Sequence, residues 1–150
     1  MKQLEIFFNK PLKFDIENIQ YLIGITGLYF IFLDKLNIRY PFGSSKLIYI
    51  GMSEKKSNSI GKRLSDHFEG LSGNEGITNY KKVDNLLFTY INFQMLKNIR
   101  KFSIEDLESY FIIDFVKKYG VYPICNNKTG YNILKNELDV LIKIDWKYFE

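Results

Sequence analysis

Apolar positions along the chain fall into two kinds of pattern, short continuous runs and stripes at helical spacing. GLYFIFL from Gly27 and KLIYIG from Lys46 are apolar runs bounded by turn residues, the pattern of buried strands. The intervening DKLNIRYPFGSS carries Pro41, Gly43 and two serines as turn material, so the two strands are expected to form a long-looped antiparallel hairpin. NLLFTYINF at Asn85 to Phe93 reads as a third strand. From Ser59 to Phe68 the spacing changes: Ile60, Leu64, His67 and Phe68 recur at i, i+4, i+7 and i+8, one face of a helix. Ser103 opens a stronger helix to about Tyr119, with Ser103 and Asp106 set out like a capping box. DIENIQYLI reads as a short helix capped by Asp15. DVLIKIDW fits either a strand or part of a terminal helix. Three strands interleaved with helices predict a small α/β or α+β sandwich. No repeat, low-complexity tract or linker divides the chain, so a single domain is expected over 1–150.

Two polar side chains break these apolar faces. His67 lies on the apolar face of the first helix, and Arg63 sits at the edge of that face, one turn earlier, so both reach the same margin of the core. A hydrogen-bonded core histidine beside a snorkelling arginine fits this spacing, and so does a pair facing a cleft. On the second helix, Ile104, Phe111, Phe115 and Tyr119 form a stripe flanked by Leu107 and Ile112. Glu105, Asp106, Ser109, Asp114 and Lys117 lie off it. Glu108 falls within the stripe, between Ile104 and Ile112. A buried carboxylate must be paired, protonated or bound to a metal, because a lone buried charge costs several kcal/mol. A salt bridge to Arg63 satisfies that requirement, and so does a functional carboxylate aimed into a cleft.

Composition narrows the classes. Hydrophobic residues make up 46% and charged residues 25% of the 150, ordinary for a globular chain, whereas 13 Phe, 11 Tyr and 1 Trp give an unusual 17% aromatic content. One cysteine, Cys125, and one histidine supply neither an internal disulfide nor a structural zinc site, which implies a reducing, cytoplasmic (intracellular) setting. Apolar runs such as YFIFL at Tyr29 to Leu33 are far too short to span a bilayer, and charge returns too soon in MKQLEIFFNKPLKFD for a signal peptide, so no membrane association is expected. The net charge is +4, and Lys46 to Lys101 holds 10 Lys/Arg against 5 Asp/Glu. That balance suits a polyanion, although scattered lysines also describe an ordinary solvated surface.

The order of these pieces carries more than any one of them. Gly27-Leu28-Tyr29 and Tyr49-Ile50-Gly51 are followed by Arg63 and His67 four residues apart, then Glu108 within LESYFI, then Asn126 closing PICN. The series resembles the GIY-YIG nuclease family over roughly 27–126, with N- and C-terminal elaborations outside that core. Leu28 stands where isoleucine is usual, Met52 follows Gly51 where some members carry lysine, and the stretch from Tyr29 to Tyr49 is longer than in the shortest members. Asn127 beside Asn126 leaves the asparagine assignment open by one position.

The resemblance implies a small domain with a central three-stranded sheet flanked by helices, and a metal-dependent endonuclease hydrolysing DNA phosphodiester bonds, with RNA left open. By position, Tyr29 and Tyr49 are its motif tyrosines, one of them a general base. Arg63 stabilises the phosphate and His67 takes a proton onward. Glu108 binds Mg²⁺ (or Mn²⁺), and Asn126 orients a group of the site. An unperturbed phenol is only about 0.1% ionised at pH 7, so either tyrosine needs help to act as a base. No zinc finger or helix-turn-helix accompanies this core. Lys35, Arg39, Tyr40 and Lys46 of the hairpin loop, with Lys62, are the candidate DNA contacts, an ordinary hairpin connection fitting the loop equally well, and a homodimer or partner protein remains open. A catalytically silent nucleic-acid-binding module and a catalytic subunit that needs a partner for target choice are the competing readings.

Overall fold

The structure, a computed structural model, describes residues 2–96, 103–126 and 140–150. In chain order the strands are β1 (Lys2–Ile6), β2 (Leu12–Lys13), β3 (Gly27–Leu33), β4 (Ile38–Tyr40), β5 (Gly43–Ser45), β6 (Leu47–Ser53), β7 (Leu86–Asn92) and β8 (Val140–Ile144). The α-helices are α1 (Ile16–Ile19), α2 (Ile60–Phe68), α3 (Glu75–Val83) and α4 (Ile104–Tyr119). The architecture is mixed α and β.

The main sheet has the order β2-β7-β3-β6, with β3 pairing antiparallel to both β6 and β7. It thus has four strands where three were expected, the extra one being the two-residue β2 on the far edge of β7. All seven residues of β3 are buried, as befits a central strand covered on both faces. Its side chains alternate between two cores. Leu28, Phe30 and Phe32 join Phe111, Phe115, Trp146 and Phe149 beneath α4 and the C-terminal residues. Tyr29, Ile31 and Leu33 join Ile19, Leu22, Ile60 and Leu64 beneath α1 and α2.

A bulge interrupts this alternation in β6. Ile31 opposes Tyr49, yet Phe32 opposes Leu47, so Ile48 is the extra residue. As a result Ile48 and Tyr49 both face the α2 core, whereas Leu47 and Ile50 on either side face α4. Tyr49, paired in unbroken register with Ile31, lies on the same side of the sheet as Tyr29, and the bulge turns Leu47 to the opposite core.

The helices start where capping chemistry places them. Asp15, Ser59 and Ser103 each accept a backbone N–H three residues on, from Asn18, Lys62 and Asp106. Gly120 ends α4 in the left-handed conformation, with φ +94°. Asp106 and Ser109, expected on the polar side of α4, are buried. The other side of α4 also carries a second layer. The parallel ribbon of β1 and β8, followed by a 3-10 turn at Trp146–Phe149, packs beside it. Tyr110 donates its hydroxyl to the Ile142 carbonyl at 2.9 Å, and Trp146 donates its indole N–H to Asp114 at 2.7 Å. Of DVLIKIDW, Asp139 lies outside the described residues and Val140–Ile144 is strand. Among the described residues no helix is long and apolar enough to cross a membrane.

Candidate active site

The two motif glycines are steric requirements of the sheet. A Cβ on Gly51 would fall within the ring and hydroxyl of Tyr29, its neighbour across the β3–β6 pair. A Cβ on Gly27 would collide with the backbone carbonyl of Ile91, and its φ of +147° also disfavours other residues. Gly51 therefore clears the space in which the Tyr29 ring lies across β6 toward α2.

There the Tyr29 hydroxyl, on a side chain with 0% exposure, meets the helix face read from the sequence. It lies 3.1 Å from His67 Nε2, and Arg63 donates its Nε–H to the same oxygen at 3.4 Å. His67 Nδ1 lies 2.7 Å from the Ser72 hydroxyl, so both ring nitrogens are occupied. Burial, and after it the Arg63 charge, holds the imidazole down at about 4, which leaves it neutral at pH 7. Burial and the adjacent Tyr49 raise the Tyr29 phenol well above its ordinary value, against the opposing pull of Arg63. Tyr29 is thus a buried support that does not line the cleft.

Tyr49 opens on a cleft. With Arg63, His67, Glu108 and Asn126 it lines a cleft of about 750 Å³ between the end of β6, α2, α4 and the turn before α3. Its ring lies edge-on to His67, with centroids 5.1 Å apart, and tilted against Tyr29 at 5.9 Å. Burial and then the Glu108 charge raise the Tyr49 phenol, while Arg63 lowers it. Glu108 is half-buried on the cleft wall. Burial lifts its carboxyl to about 7, with Arg63 pulling the other way and Glu105 and Glu54 adding to the rise. No salt bridge joins it to Arg63. Among the described residues Glu108 makes no hydrogen bond or ion pair.

Asn126 acts on the backbone. Its Oδ1 accepts the Ile50 N–H at 2.9 Å and its Nδ2 donates to the Ile50 carbonyl at 2.8 Å, as a neighbouring strand would. Cys125 N–H adds a bond to the Ile48 carbonyl at 2.8 Å. Together these cover the free edge of β6 on either side of Tyr49. The alternative assignment, Asn127, lies outside the described residues.

The proposed DNA-contacting loop is placed differently from expectation. It folds into the small β4–β5 hairpin. Tyr40 is 3% exposed, donates to the Leu47 carbonyl at 2.7 Å and accepts from the Ile124 N–H at 3.0 Å. It is a core residue bracing the segment before Asn126, so it is withdrawn as a nucleic-acid contact. Lys35, Arg39 and Lys46 do not line the cleft. Lys62 is exposed beside it and pairs with the wall residue Asp66 at 2.8 Å. Arg63 is the one cation on the wall among the described residues, against Asp66, Glu75 and Glu108.

Sequence reasoning missed Ser72 and Asn74, which hold this arrangement from the turn between α2 and α3. Asn74 caps α3 by accepting the Ile77 N–H and donates to the Cys125 carbonyl at 2.9 Å. The dipeptide Gly73-Asn74 ahead of Glu75 was the available signal, a turn followed by a helix cap. No family model, curated protein or solved structure matches the chain.

A divalent ion fits the wall in one respect. Among the described residues no three His, Cys, Asp or Glu side chains gather into a metal cage. Mg²⁺, however, is commonly held by one or two carboxylates together with water and substrate phosphate. Half-buried Glu108, opening on the cleft, could supply one such carboxylate.

Proposed function

We propose that the protein is a metal-dependent endonuclease that hydrolyses phosphodiester bonds of DNA. The carrying observation is that Tyr49, Arg63 and Glu108, from three separate elements, share one cleft wall. Glu108 would hold the divalent ion, which when bound neutralises charge on the phosphate and on the leaving oxygen. Arg63 offers guanidinium N–H groups to a phosphoryl oxygen as negative charge develops there. The Tyr49 oxygen, as phenolate once its own proton has passed to solvent in the open cleft, takes the proton of the attacking water. Its phenol is held high partly by the Glu108 carboxylate, so neutralising that carboxylate favours the phenolate the reaction needs. Tyr29 and His67 stand one layer behind. Neutral His67 is a hydrogen-bond partner of Tyr29 and helps fix the Arg63–Tyr29 contact, a different duty from carrying the proton away.

The make-up of the wall supports a second reading of how DNA is held. With Arg63 facing three carboxylates, the cleft offers little general attraction for a polyanion, whose binding rests largely on Lys and Arg at phosphates. A catalytic subunit that relies on a partner or a second copy for target capture accommodates both facts. The test is turnover on supercoiled plasmid by Tyr49→Phe and Arg63→Ala beside wild type. Each should lose roughly 100-fold or more in rate with a near-normal melting temperature. A melting temperature that collapses in Arg63→Ala would make that side chain structural.

A further inference from the structure

The contacts around His67 form a directed chain. Arginine only donates hydrogen bonds, so the Arg63 Nε–H uses a lone pair of the Tyr29 oxygen and leaves the Tyr29 proton to be given elsewhere. His67 Nε2, 3.1 Å away, can receive it, in competition with the adjacent Tyr49 hydroxyl; where it does, Nε2 is the bare nitrogen and the ring proton sits on Nδ1. In that tautomer the Nδ1–H donates to Ser72 Oγ, 2.7 Å away. The same Ser72 oxygen lies 3.3 Å from the Asn74 N–H that donates to it, so the serine is held in place by the turn that starts α3. That turn is tied in its own right to the β6 edge through the Asn74 bond to the Cys125 carbonyl.

We propose that Ser72 is a positioning residue that fixes the Nδ1–H tautomer of His67, and through it the orientation of Tyr29 and Arg63 in the cleft. Ser72 acts through His67 and touches no reacting atom. Its effect on turnover rests on the nuclease reading above; its effect on the tautomer does not. Removing the hydroxyl takes away the acceptor for Nδ1–H and frees the ring to exchange its proton to Nε2. Arg63 and the ring proton would then compete for the Tyr29 oxygen.

The chain holds a single histidine, so its ring nitrogens can be followed without assignment by ¹⁵N NMR. Spectra of wild type, Ser72→Ala and Ser72→Thr at pH 7.5 are the test. Wild type and Ser72→Thr should show a protonated Nδ1 and a bare Nε2, and Ser72→Ala should show the two nitrogens moving toward each other as the tautomers mix. Ser72 is exposed, so the alanine variant is expected to fold, and the wild-type spectrum alone already tests the assignment. A protonated Nε2 in wild type, or a tautomer unchanged in Ser72→Ala, would overturn the proposal. On plasmid, kcat should fall about tenfold in Ser72→Ala, the low end for an outer partner orienting an imidazole, with KM unchanged and recovery in Ser72→Thr. A tautomer that shifts as expected while no variant, wild type included, cleaves DNA would uphold the Ser72 assignment and count against the nuclease.

Discussion

At the scale of single residues, two titratable side chains push stability in opposite directions across nearly the same pH range. Glu108 is held up at about 7 from 4.5, so the folded state is the better proton binder; its contribution is complete below pH 4.5 and is lost as pH rises through 7. His67 is held down at about 4 from 6.5, so its contribution is complete above pH 6.5 and is lost as pH falls through 4. Each amounts to about 3 kcal/mol at most, and in wild type they largely offset each other. Glu108→Gln removes one side of the balance. Its melting temperature should exceed that of wild type at pH 8, and the gap should close toward pH 5. The variant alone should then lose stability steadily between pH 6.5 and 4. Thermal melts over that range check this, and a gap that does not depend on pH would mean Glu108 is ionised and solvated in the folded protein. The same substitution removes the proposed metal ligand, so a variant that is more stable yet inactive is the signature of a functional carboxylate.

At the scale of elements, the site depends on how β3 and β6 meet. Gly51→Ala places a methyl group where the Tyr29 ring lies, and Tyr29 is pinned by two partners in a fully buried position. Overpacking of this kind costs about 1–3 kcal/mol, and the variant should also lose the Tyr29–His67 bond. Urea melts together with the His67 ring spectrum would show both effects; an unaltered spectrum would mean that β6 shifts to accommodate the methyl. The β3 and β6 strands, α2 and α4 were legible because each buries one strong pattern, a continuous apolar run or a 3.6-residue stripe. Helix α3 was not, because EGITNYKKV fully buries Ile77 alone and so shows no stripe. The β6 bulge left no mark in the sequence, since LIYI reads equally well in either register. Tyr40 was misplaced for a physical reason: a tyrosine among basic and turn residues looks like a surface side chain, while its buried hydroxyl is satisfied by two backbone groups.

At the scale of the whole molecule, the chain's ends meet across one face of the sheet. β1 pairs in parallel with β8, and the Lys46 N–H donates to the Phe149 carbonyl at 2.6 Å. Pairing between segments so far apart in sequence has no local signature, which is why neither end yielded a firm expectation. Trp146 is the anchor of this layer, 4% exposed and edge-on to Phe115 at 5.4 Å. Trp146→Ala should cost about 3–5 kcal/mol, measured by denaturant unfolding, while cleavage per folded molecule stays at the wild-type level because Trp146 is no part of the cleft wall. Activity lost out of proportion to unfolding would show that the cleft depends on this layer. The order of Tyr29, Tyr49, Arg63, His67, Glu108 and Asn126 was legible as a series. Their division into an inner pair, a cleft wall and a backbone clamp was not, because it follows from burial and from which nitrogen or oxygen meets which partner.

The central claim is that Glu108 holds a metal for hydrolysis in this cleft, and the most direct test compares wild type with Glu108→Gln on supercoiled plasmid, with Mg²⁺, with Mn²⁺ and with EDTA. The account predicts that wild type nicks or linearises the plasmid only when the metal is present, and that Glu108→Gln, folded and at least as stable at pH 8, leaves it intact. Equal cleavage by the two proteins would contradict it.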